Sequence, residues 1–133
     1  MNAANSYKEA LRYVENAKES LKKAGKKDKF YIDDKYVKTA CGTAYSGILV
    51  ALDFLFEHKN IQKKKGRKSI EYYQSNLANM NKKLLNYLND GYEILHLYGY
   101  YDGGKNINLI KTGMDDAVSI ISALKPYSSN GVK

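Results

Sequence analysis

Apolar positions along this chain recur at steps of three and four for most of its length, and no alternation of period two persists beyond a few residues. Tyr7, Ala10, Leu11, Val14, Ala17, Leu21 and Ala24 form one stripe, which predicts a first helix over residues 6–24. Asn5 or Ser6 supplies its cap, and Lys22 and Lys23 precede Gly25 at its end, an order that suits the helix dipole and a glycine stop. Asp33 or Asp34 caps a second helix reaching His58. From Ala40 to Phe56 it is apolar on nearly every side, which makes it the central rod. Ala40, Ala44, Gly47 and Ala51 run along it as a stripe of small residues, open to close approach by a helix of the same chain or of a second copy. Gly42 and Gly47 each cost about 1 kcal/mol of helix propensity relative to alanine, a cost that close packing would offset.

A third helical pattern runs through Ile70, Tyr73, Leu77, Met80, Leu84 and Leu88, and Asn89-Asp90-Gly91 is expected to kink or break it. Helical spacing resumes through Tyr92, Leu95 and Tyr98, and Asp102 to Asn106 reads as a loop. Ile107, Ile110, Met114, Ala117, Val118, Ile121 and Leu124 then mark a last amphipathic helix, ended by Pro126. The prediction is an all-α, antiparallel, four- to five-helix up-and-down bundle, one domain spanning residues 1–133. The longest apolar run, Gly47 to Leu52, stops at Asp53 and is too short to cross a bilayer, so no membrane partner is expected. Asp53 itself is expected to pair with a tyrosine hydroxyl, Arg12 or a lysine, or to stay wet at the bundle edge.

Charge adds a partner class. The net charge is +8, which favours anionic partners such as nucleic acid or nucleotides. All but Arg12 and Arg67 of the 22 basic residues are lysine, which lacks the planar fork of bidentate phosphate contacts. The densest run is Lys63-Lys64-Lys65-Gly66-Arg67-Lys68, either a phosphate grip or a solvated loop at the far end of the bundle. Up-and-down topology places Lys26, Lys27 and Lys29 beside Tyr98, Tyr101 and Lys105. Lysines next to aromatic faces are what a nucleotide or single strand requires, and these six are the candidate ligand-binding residues. One cysteine forms no internal disulfide, and the first residues lack a secretory leader, so a cytoplasmic protein is expected.

Candidate chemistry gathers in Gly91 to Asp102, which holds one of the two histidines and four of the 13 tyrosines. On an α-helix Asn89, Glu93, His96 and Tyr100 share a face, so Glu93 is placed to orient His96 as a general acid or base. The plainer alternative is a histidine that donates to a nearby carboxylate or carbonyl and fills a helix end. Cys41 has no cysteine or histidine at metal spacing and reads as a core filler. No metal site and no cofactor are expected.

Three passages resemble the HEPN-like helical bundles of prokaryotes: Tyr7 to Tyr13, Tyr36 to Gly47, and Leu95 to Asp102 with the final helix. The likeness covers about residues 6–125. It implies a bundle that pairs as a homodimer, with nucleic acid, a nucleotide, a nucleotidyltransferase or a toxin–antitoxin partner. Catalytic members of that family are metal-independent ribonucleases whose motif is an arginine followed, roughly four to six residues later, by a histidine. His96 matches the histidine, but Asn89 to Tyr92 occupy the arginine's place. Without that cation nothing offsets charge developing on a phosphate. The expectation is therefore a non-catalytic binding protein. The alternatives are an atypical ribonuclease using His96 with Glu93 or Tyr100, and a purely structural or adaptor dimer.

Overall fold

The computed structural model describes residues 3–62 and 64–128; Lys63 of the basic run and both chain ends lie outside them. Helix α1 (Ala3–Ala24) leads into a two-residue hairpin, β1 (Lys26–Lys27) and β2 (Phe30–Tyr31), and then into α2 (Asp34–His58). Helices α3 (Ile70–Met80) and α4 (Lys82–Gly91) follow, and a π-helix (Tyr92–Tyr101) continues directly from α4. Helix α5 (Ile107–Ser122) and the short turn α6 (Lys125–Ser128) complete the chain. The all-α bundle is present, with a hairpin that no periodicity announced.

Capping residues set most boundaries. Asp33, Ser69, Asn81 and Asn106 have extended backbone, and their side chains accept from backbone N–H groups of α2, α3, α4 and α5 respectively. Gly25, at φ +74°, turns the chain out of α1. Several boundaries differ from expectation. Helix α1 begins at Ala3, so Asn5 and Ser6 lie inside it rather than capping it. The long third pattern breaks at Asn81, whose N–H closes α3 on Leu77 while its carboxamide opens α4 at Leu84. The Asn89-Asp90-Gly91 run stays helical, because Gly91 is buried where a side chain would crowd Ile48 and Asp116. Pro126 does not end α5; it sits inside the short turn that follows.

Helix α2 is the centre of the core. It is long and apolar enough to cross a bilayer by length and composition, contrary to the reading from its longest uninterrupted run. Here α1, the π-helix and α5 pack around it, and Val37, Ala40, Cys41, Ala44, Ile48 and Leu52 are fully buried. Its small-residue stripe is filled from within the chain: a side chain at Gly47 would strike Tyr13 and the Ala10 carbonyl of α1. That face is therefore closed to a second copy. Asp53 on α2 accepts from the Tyr73 hydroxyl at 2.9 Å and from Lys68 at 3.0 Å, which ties α3 and the basic loop to the central helix. The carboxylate pushes the Tyr73 hydroxyl upward in pKa, after burial as the larger cause.

Candidate functional site

The π-helix decides where the candidate residues point. Its wider turn is visible in the Asp102 N–H, which donates to Leu97 five residues back at 2.9 Å. A wider turn moves partners from three residues apart to four and five. His96 accordingly meets Tyr92 (ring centroids 5.1 Å apart), Tyr100 (6.1 Å) and Tyr101 (4.9 Å), with Tyr45 of α2 closing the cluster at 4.8 Å. Glu93 is exposed and leaves the face it would have shared with His96 on an α-helix. Asn89 is also turned elsewhere and accepts from Gln74 at 2.8 Å.

Among the described residues neither Glu93 nor any other group is hydrogen-bonded to the His96 ring. Burial lowers the imidazole pKa and so disfavours the charged ring. The aromatic neighbours of the ring are tyrosines, an arrangement that suits packing. Tyr100 of the same cluster lies over Gly42, where an added side chain would come within 2.9 Å of its ring. Among the described residues no three His, Cys, Asp or Glu side chains gather as a metal site. Cys41 is buried, and burial pushes its thiol up to about 12, which makes it unreactive.

Backbone pairing joins the segments that carry four of the six candidate ligand-binding residues, Lys26, Lys27, Lys29 and Lys105. Tyr31 N–H donates to the Lys105 carbonyl at 2.9 Å, and Ile107 N–H donates to the Lys29 carbonyl at 2.9 Å. The loop before α5 thus lies along the hairpin, with Phe30 bridged to Asn106. Lys26, Lys27 and Lys29 belong to the hairpin segment, and Lys105 is half-buried. Tyr101 is 63 % exposed and Phe30 51 %. Tyr98 has a structural task instead: its hydroxyl accepts from the Asn106 N–H at 2.9 Å and holds the loop in place. Beside this set, Lys18 and Lys22 join Lys26 around a shallow depression of about 270 Å³ lined also by Leu21 and Tyr31. The Lys26 ammonium stands 6.0 Å from the Tyr31 ring.

The structure also shows what spacing alone did not single out. Asp116 of α5 is only 7 % exposed, lies close enough to Asp90 of α4 to feel its charge, and among the described residues keeps Oδ2 buried without a hydrogen-bond partner. Burial first, then Asp90 and the charge of Asp115, push its carboxyl up to about 8. The signal was present in the step of three and four from Gly113 to Asp116 to Ile120, all on the buried face of α5.

The fold is that of a small helical-bundle protein with a short lysine-bearing hairpin between its first two helices. The chain belongs to a family described as a domain of unknown function, DUF5618, whose pattern it matches over residues 5–125. It is similar to a protein of unknown function from Dyadobacter fermentans, with 46 % identity and a TM-score of 0.87, covering 95 % of this chain and 98 % of that one. A Sulfolobus solfataricus protein of solved structure shares the fold at 20 % identity and a TM-score of 0.68, covering 93 % of this chain and 96 % of that one. Comparison with functionally curated proteins gives no match.

Proposed function

We propose that the protein is a non-catalytic binding protein of the cytoplasm, and that its hairpin end takes single-stranded nucleic acid. One observation supports this reading: backbone pairing runs the hairpin that carries Lys26, Lys27 and Lys29 along the loop that carries Lys105, next to the exposed ring of Phe30. Ammonium groups neutralise phosphates, and exposed rings offer faces on which bases stack whatever their sequence. The helix order and the Leu95–Asp102 passage support a HEPN-like ancestry for the bundle. Self-association, in this reading, uses the tyrosine-rich face around Tyr100 and Tyr101, since the small-residue face of α2 is already filled by α1.

Ribonuclease chemistry at His96 is the weaker reading, because the arginine of the ribonuclease motif is missing and the ring packs among tyrosines. The test is a salt titration of a labelled single-stranded RNA, followed by anisotropy. Engagement of about four phosphates predicts a log–log slope of roughly −3, so that affinity falls by about fifty-fold between 50 and 200 mM salt. Absence of binding at low salt would remove the proposal.

A further inference from the structure

At the opposite end of α2 lies a cleft of about 490 Å³ that the hairpin reading does not use. Half of its lining is apolar and mostly aromatic, Val50, Phe54, Phe56, Ile61 and Tyr72, and the other half is polar or charged. Phe56 and Tyr72 meet edge to face at 5.8 Å, which fixes two rings of the wall against each other. Volume and lining suit a small molecule with one flat apolar body.

The charges of the cleft select the rest of that molecule. Asp53 and Glu57 stand one turn apart on the same face of α2 and both line the opening. Asp53 is balanced, since Lys68 donates to it at 3.0 Å and the two charges cancel. Glu57 is exposed and forms no ion pair among the described residues. One unbalanced carboxylate remains, beside aromatic faces that themselves attract cations. The protein as a whole carries +8, so attraction for a cation here is a property of this cleft and not of the general field.

We infer that the cleft is a binding site for a small organic amine, with its single ammonium group at Glu57 and its flat body between Phe54, Phe56 and Tyr72. An anionic molecule of the same shape meets Glu57 as a like charge and is rejected. The inference is independent of the hairpin reading, because the two sites lie at opposite ends of the central helix.

The experiment is an amide-shift NMR titration of the full chain with 2-phenylethylamine, and separately with 3-phenylpropanoate, its carboxylate counterpart. The amine is expected to shift the amides of Asp53, Glu57, Asn60 and Tyr72 saturably, with a Kd on the order of 1 mM for so small a probe. Glu57→Gln, an exposed change that leaves the core intact, is expected to weaken the amine by about five- to tenfold. Lys68→Gln bares the Asp53 carboxylate and is expected to tighten the amine about threefold, an effect opposite in sign to any loss of structure. Equal binding of the carboxylate probe, shifts confined to other parts of the molecule, no saturation, or indifference to Glu57→Gln would each overturn the inference.

Discussion

Replacing Gly99 by alanine is expected to destabilise the fold by about 3 kcal/mol, roughly a 10 °C loss of Tm in a chain of this size. Gly99 sits in the π-helix where it crosses α2, and a side chain there would lie 2.7 Å from the Cys41 Cβ and closer still to its sulfur. The 3.3 Å approach to the Ile94 carbonyl leaves no room on the other side. Cys41 is fully buried at the centre of α2 and has nowhere to retreat. Two packed helices must therefore separate, which loosens the His96 cluster held between them. A second substitution tests the mechanism. Cys41→Gly vacates the space the new methyl needs, so the double variant should recover part of the loss, less about 1 kcal/mol for glycine in a helix. Chemical denaturation of the two single variants and the double one measures this coupling directly. Simple additivity would show that the two residues do not clash as the packing requires.

The second large effect is a pH dependence set by Asp116. Its carboxyl holds a proton up to about 8 in the folded protein, against 3.8 as its ordinary value. The folded state therefore binds this proton more tightly than the unfolded chain does. The stabilisation is fully present below about pH 4, falls as pH rises through the window up to about 8, and levels off above it. Every tenfold gain in proton affinity corresponds to about 1.4 kcal/mol, so the total is several kcal/mol. Asp116→Asn keeps the shape, yet has nothing to titrate. The variant and the parent should match near pH 4, and the variant should be the more stable by about 2 kcal/mol or more at pH 9. Urea midpoints across that range decide it, with the difference between the two curves isolating Asp116 from every other titration. Parallel curves would mean that the carboxyl is ionised in the folded state.

Periodicity made the helices legible because each presents an apolar face that must be buried, and that requirement leaves its step of three and four in the sequence. The central role of α2 followed from its nearly continuous apolar surface. Boundaries were less legible where two features competed. Asn81 sits inside an unbroken hydrophobic pattern, and only its capping bonds to Leu77 and Leu84 reveal the corner. Gly91 carries a turn signal that packing against Ile48 overrides. The hairpin escaped notice because strands of two residues are too short to alternate.

At the candidate site, topology led to the expected grouping of the lysines with Tyr98 and Tyr101. The structure pairs the backbones of the Lys29 and Lys105 segments, engages the Tyr98 hydroxyl with the Asn106 N–H and packs Tyr101 on His96. The grouping of Glu93 with His96 assumed α-helical turns, and the π-helix replaced it with a ring of tyrosines. Nothing in local sequence demands a π-helix of this length. It arises where Gly99 lets the segment press against Cys41 while Tyr98 anchors the following loop.

The most direct test is RNA binding by three proteins side by side: the parent, His96→Ala, and the quadruple change of Lys26, Lys27, Lys29 and Lys105 to glutamine. Anisotropy with a labelled single strand should place His96→Ala within about twofold of the parent and the lysine variant at least tenfold weaker, with the RNA recovered intact throughout. Undiminished binding by the lysine variant, or cleavage that disappears with His96, would contradict it.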